Sequence, residues 1–462
     1  MDNTIQECVA ELTSLLSPEQ IRTGDAIDAS YQKDWSMAPS CRPAALVLPD
    51  SAATLASIVK TCVKHNVTMV AQGGRTGLAG AATPLENSIC LAFEKMNAVE
   101  EIDPLSNTIT VQPGVTLQQV QEQALTVKRS FPVDFGARGS CQIGGVLATN
   151  AGGNNVIRYG MTRDNVLGIE VVTASGEIID LSNKMIKNNT GYDLKQLFIG
   201  SEGTLGFITK ATLKLAAIPG EPRTALCALD SYEHGVELLR LLQEKLGQSI
   251  HAFEMMWEDF YEMSVSWSCA DNPPLELGHP LYVLIECRDC EEEKFNAALE
   301  TAFENELVQD AVIASSLRER EKIWEIREAT TEFPVKLSPI NFDISLPIKD
   351  IDTFVHQCKK AIDEKWPGAL TVNFGHIGDS NLHLTIDKNS ANGIDELAAD
   401  ELVYSCVATF KGSISAEHGI GTLKRDFLHH SVSPSALDLM RTLKKTLDPN
   451  NLLNPGKLIS MN

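Results

Sequence analysis

Gln72-Gly73-Gly74-Arg75-Thr76-Gly77-Leu78-Ala79-Gly80 follows the apolar run Val67 to Ala71 and decides how the first half of the chain is read. Glycines let a backbone approach a ligand closely and turn its N–H groups inward, which is how a loop cradles a diphosphate. The segment neither opens a long helix as G-x-G-x-x-G nor ends in G-K-[ST], so it supports neither a Rossmann nor a P-loop site. Alone it reads as readily as a turn. A second small-residue segment runs Gln142-Ile143-Gly144-Gly145-Val146-Leu147-Ala148-Thr149-Asn150-Ala151-Gly152-Gly153, and a third cluster spans Gly200 to Gly206 around Gly203. Three clusters in one region point to a long, extended cofactor lying against backbone.

The flanking sequence supports an α/β region. Apolar strands are expected at Ala44 to Leu48, Val67 to Ala71, Ile89 to Phe93 and Thr108 to Val111, with helices at Ala52 to His65 and Thr116 to Lys128. Strands at Ile169 to Ala174, Ile178 to Leu181 and Phe207 to Leu215 follow, and Ile218 to Pro222 reads as a linker. Beyond it, strands near Leu281 to Glu286 and Asp343 to Leu346 alternate with amphipathic helices, as in an α+β domain with an antiparallel sheet. Ser433 and Pro434 start a last helix, which stops at Asp448-Pro449.

With 462 residues, two or three domains are expected. The 61 Asp and Glu against 39 Lys and Arg give a formal charge of −22, which disfavours nucleic-acid partners. Arg75, Arg138, Arg158 and Arg163 nonetheless recur around the glycine segments, as an anionic ligand would require or as solvated surface residues would. Eleven cysteines show no disulfide-like spacing, and the lone Cys287 to Cys290 pair is a poor metal site, so a reducing compartment fits. No leader-like N-terminus and no apolar run of about 18 residues is seen. The expected location is cytoplasmic.

A polar cluster lies in the second half. Val372 to His376 and Leu382 to Leu384 flank Gly378-Asp379-Ser380-Asn381, a tight turn that would let His376 and His383 meet across a hairpin. Glu417 and His418 stand together further on. Two imidazoles and a carboxylate suit a divalent cation with open positions, leaving His418 as a base. Spacing alone leaves metal binding and satisfied core histidines both open. Arg327 offers a donor fork for a carboxylate, or else a salt bridge on a helix surface.

Together, Gln72 to Ala81, Ile143 to Arg163, Thr190 to Leu194, Phe198 to Gly206, Gly375 to His383, Ser415 to Gly421 and Asn454 to Lys457 resemble the FAD-linked oxidases of the vanillyl-alcohol oxidase superfamily. Within it they resemble the D-2-hydroxy-acid dehydrogenases, bacterial D-2-hydroxyglutarate dehydrogenases in particular. The resemblance implies an α+β protein. An FAD-binding domain of two α/β subdomains would occupy residues 1–220 (core about 38–217). An α+β cap with an antiparallel sheet would span 221–430, and 431–462 would return to the first domain. It implies that Gly73, Gly74, Arg75, Thr76, Gly77 and Leu78 wrap the diphosphate. Gly144, Gly145, Thr149, Asn150, Gly152 and Gly153 would follow the cofactor, with Gly203 and Asn454 touching it again. No histidine or cysteine lies in the Gly73 to Gly80 loop, so FAD is expected to be noncovalent.

The same resemblance makes His376, His383 and Glu417 ligands of Zn²⁺ or Mn²⁺, His418 the base, and Arg327 and Thr331 the substrate-carboxylate binders. Hydride would pass from C2 of a D-2-hydroxy acid to flavin N5, and electrons onward to a quinone or an electron-transfer flavoprotein. A homodimer is compatible with it. Two departures stand out: a lysine for the distal carboxylate aligns with Asn341, and a substrate-binding asparagine aligns with Thr385. Lys336 lies elsewhere in the pattern. Losing a cation and an amide donor weakens the case for a dicarboxylate and admits D-lactate. Two alternatives are a zinc-dependent hydrolase, which would leave the glycine clusters unexplained, and a non-catalytic flavin-binding subunit of a larger complex.

Overall fold

Ile89-Cys90-Leu91-Ala92 is apolar throughout, as a strand covered on both faces must be, and all four residues are buried. It pairs parallel with Ala45–Val47 and with Met69–Gln72, while Ile21–Thr23 adds antiparallel to Ala45–Val47. The helix Ala52–Lys64 starts on Ser51, whose hydroxyl accepts from the Thr54 N–H. Its Leu55 and Val59 join Val47, Ile89 and Leu91 in one core. The computed structural model describes residues 3–268 and 272–461 and divides into two units.

The first unit holds the described residues up to Gly153, then Tyr159–Ile218 and Glu417 onward. Besides the four-stranded sheet it contains a five-stranded one, ordered Val99–Asp103, Thr108–Val111, Phe207–Lys214, Val166–Val172, Ile178–Leu181, with antiparallel neighbours throughout. Alternation in the sequence points to βα units, yet the links here are turns around Asn107 and Gly176, both at positive φ. Parallel pairing needs a crossover of a dozen residues or more, so such links can only make hairpins. The chain passes to the second unit between Ile218 and Pro219, inside the expected linker.

The second unit comprises Asn154–Arg158 and Pro219–Ala416. Its seven-stranded sheet runs Asp310–Ile313, Arg223–Leu229, Leu281–Cys287, Ile250–Trp257, Thr371–His376, Asn381–Asp387, Pro339–Ser345, antiparallel throughout. Met256, Tyr282, Leu284, Val372 and Phe374 pack with Phe260 and Ile326 into its core. The return to the first unit begins at Glu417, where the sequence reading sets it at 431. The physical reason is Glu202, which already accepts the N–H groups of Ile420 and Gly421 at 2.6 and 2.8 Å. The helix Pro434–Leu447, capped by Ser433, belongs to the same return. No helix among the described residues is long and apolar enough to cross a membrane.

Candidate active site

In the first unit the glycine segments are packed backbone to backbone. A Cβ on Gly73 would sit in contact with Gly145 Cα at 3.4 Å, and one on Gly74 would sit 2.0 Å from Ser140 O, so Gly74 admits no side chain without rearrangement. Gly144 and Gly145 lie in the helix Ile143–Thr149, and Asn150 ends it at φ 52°, its Oδ1 accepting the Arg163 N–H. Thr149 donates back to Gly145 O. The Gly153 N–H donates to Glu417 Oε1 at 2.6 Å, and a Cβ on Gly152 would meet that oxygen at 2.4 Å. Gly203, at φ +71°, lies against Asn454. Asn454 Oδ1 accepts the Ala71 N–H and its amide donates to Glu202 O. Burial pushes the Glu202 carboxyl up, against the two N–H groups it accepts.

The arginines around these segments have protein partners. Arg75 bonds Glu94 at 2.9 Å and lies over the Tyr31 ring, and Arg138 pairs with Asp134. Arg163 reaches Ile199 O. In the second unit, Arg158 pairs with Asp289.

The second unit carries a buried polar cluster on its sheet. Glu254, 1% exposed, lies opposite His376 on the neighbouring strand, and its Oε1 is 2.6 Å from His376 Nδ1. Its Oε2 accepts from Arg327 Nε at 2.8 Å. Burial opposes ionisation of Glu254, but its pairing with His376 and with Arg327 outweighs it and holds its carboxyl at about 2. Arg327 is buried, stacks its guanidinium over Phe374 and brings Nη2 to 3.5 Å from His376 Nε2. It is therefore no surface salt bridge. His383 sits across from Phe374, and the His376 and His383 rings lie 5.5 Å apart. Asp343 faces His383 in the register, with its Oδ1 3.9 Å from Nδ1. Asn341 and Thr385 face each other on the same strand pair, and Thr385 Oγ1 donates to Asn341 Oδ1 at 2.8 Å. Thr331 is exposed, its hydroxyl donating to Glu328 O, and Lys336 is exposed as well.

A model of an FAD binding domain matches residues 43–182, and one of the C-terminal domain of FAD linked oxidases matches 218–458. A D-2-hydroxyglutarate dehydrogenase of Stutzerimonas stutzeri is 37% identical over 462 residues, with 98% of each chain covered. The chain belongs to the FAD-linked oxidase family. A D-2-hydroxyglutarate–pyruvate transhydrogenase of Saccharomyces cerevisiae is 34% identical, covering 98% of this chain and 94% of that one. In fold the chain is similar to p-cresol methylhydroxylase, with a TM-score of 0.74 at 17% identity over 100% of this chain and 98% of that one. This FAD-linked oxidase is thus an FAD-dependent oxidoreductase.

The first unit fits FAD in a way the glycine spacing only implied. Among the described residues, no backbone N–H from Gly73 to Leu78 donates to another group of the protein. A run of unpaired N–H groups suits a diphosphate. Gln142, 7% exposed beside Gly73, keeps Oε1 without a partner among the described residues, an unused buried acceptor. Sequence reading passed over Gln142, Glu254 and Asp343. Glu254 had a signal: it is the one ionisable residue within Phe253-Glu254-Met255-Met256-Trp257, where burial on a strand demands a partner.

Proposed function

We propose that this FAD-linked oxidase is a dehydrogenase that converts a small D-2-hydroxy acid to its 2-keto acid, using His418 as base and a divalent ion, Zn²⁺ or Mn²⁺, on His376, His383 and Glu417. The observation that carries the reading is the Glu254–His376–Arg327 cluster beside His383, in a chain whose full-length relatives are named for D-2-hydroxyglutarate. Glu254 holds the Nδ1 side of His376, so Nε2, which Arg327 Nη2 approaches at 3.5 Å, is the nitrogen a divalent ion would take in place of that contact. Such carboxylate–histidine pairs orient metal ligands. The donor set therefore fits a divalent ion.

Bound FAD supplies the hydride acceptor, and a bound divalent ion supplies a Lewis acid for the hydroxyl and α-carboxylate. His418 takes the substrate's hydroxyl proton. Arg327, with Nε committed to Glu254, offers Nη1 to the α-carboxylate and so fixes which face of C2 is presented. Thr385 spends its hydroxyl on Asn341 and neither side chain carries a charge, which admits a short monocarboxylate such as D-lactate alongside D-2-hydroxyglutarate. Electrons leave to a quinone or an electron-transfer flavoprotein. The same proposal places the protein in a reducing, cytoplasmic setting.

The test is anaerobic. D-Lactate, D-malate, D-2-hydroxyglutarate, longer D-2-hydroxy acids and the L enantiomers are added separately, and bleaching of the visible flavin band is followed. One D acid should bleach the band rapidly while its L form does not; a metal-replete, yellow protein that no acid bleaches would refute the reading. Glu417→Ala should lower bound metal about 10-fold or more while FAD is retained, measured by elemental analysis after gel filtration. Full metal retention would remove Glu417 from the ligand set.

A further inference from the structure

The Asn454-Pro455-Gly456-Lys457 segment ends in a lysine that the reading above leaves without a role. Lys457 is 1% exposed, and its Nζ donates to Gly80 O at 2.7 Å and Thr83 O at 2.8 Å. Burying an ammonium group is costly unless its donors are satisfied and a counter-charge is near. The two carbonyls satisfy donors, and the negative charges of Asp34 and Glu202 act on it from two other segments.

That geometry closes the glycine loop. Asp34 Oδ2 accepts the Ala82 N–H and its Oδ1 accepts from Thr83 Oγ1. Gln72 Nε2 donates to Ala82 O at 2.8 Å, joining the start of the loop to its end. Asn454 holds the incoming strand at Ala71, and Leu453 bridges Met69. Both ends of the loop are thus tied to the C-terminal segment, one by Asn454 and the other by Lys457. Between them stand the unpaired N–H groups of Gly73 to Leu78.

We propose that Lys457 is a positioning residue for FAD, holding the loop's closing turn so that the N–H groups of Gly73 to Leu78 are set to receive the diphosphate. The proposal rests on FAD occupying this loop. Preorganised donors bind an anion without the cost of ordering them, so loosening the turn lowers retention. Burial pushes Lys457 down to about 8, against the pull of Asp34 and Glu202; Arg425 lowers it further and Cys41 raises it. A bound diphosphate favours the ammonium form, so retention should weaken as pH rises past about 8.

The experiment measures FAD release from the purified holoenzyme, by recovery of flavin fluorescence on dilution, near pH 7 and near pH 9. Lys457→Met should accelerate release near pH 7 on the order of 10- to 100-fold and lose most of the pH dependence. The comparison is Lys444→Met, since Lys444 is also buried but touches neither Gly80 nor Thr83 at the closing turn, holding Thr204 O, Leu453 O and Asp448. Release as slow in Lys457→Met as in the parent overturns the proposal, and so does equal acceleration in both variants. If Lys457→Met does not fold, Asp34→Asn tests the same closing turn: faster release than in the parent supports the proposal and release at the parent rate overturns it. A parent that binds no FAD at all would instead refute the placement of FAD in this loop.

Discussion

Replacing His418 with alanine is expected to leave FAD bound and to slow anaerobic flavin reduction by the D-2-hydroxy acid about 10²- to 10⁴-fold, the span typical of a lost general base. The residues holding the FAD loop are Gln72, Asp34, Asn454 and Lys457, and none of them depends on His418. Cofactor content should therefore stay near one per chain. The measurement is stopped-flow bleaching of the flavin band at saturating substrate, alongside the visible spectrum of the resting protein. Reduction at the parent rate would take His418 out of the proton transfer. Loss of FAD together with activity would assign it to cofactor binding instead.

Glu254→Ala is expected to be strongly destabilising to the second unit. It removes the carboxylate between Arg327 and His376, and Arg327 is only 7% exposed, with the apolar core of Phe260, Phe374 and Ile326 around it. Breaking a buried pair leaves an uncompensated charge and costs about 3–5 kcal/mol. Glu254→Gln keeps one acceptor and one donor and should cost less. The urea midpoint read by a probe in the second unit gives the stability. Metal content gives the second consequence: affinity should fall about 10- to 100-fold, because the Nδ1 side of His376 is no longer held. A variant as stable as the parent would mean that Arg327 reaches another acceptor at little cost.

These expectations divide along the line between local and long-range information. Features with a local cause were legible in the sequence: Ser433 at the start of the last helix, an apolar strand at Ile89 to Phe93, and the turn at Gly378 to Asn381 between two strands. The glycine segments were legible as well, since a run without side chains has few uses other than close backbone approach. Motif resemblance then named FAD, which no periodicity could have supplied.

Tertiary structure alone decided the rest, and the reason is sequence separation. Glu254 finds His376 across 122 residues because two strands far apart in the chain become neighbours in one sheet. Lys457 reaches Gly80 across 377 residues, and Glu202 reaches Gly421 across 219. The pairing of Asn341 with Thr385 depends on a strand register that no single strand specifies. By itself the sequence determined where the strands and glycine-rich stretches lie and that the chain is an FAD-linked oxidase. Which carboxylate meets which histidine, and which carbonyls a buried lysine reaches, follows only when distant segments share a core, because burial is what forces a charge to find its partner.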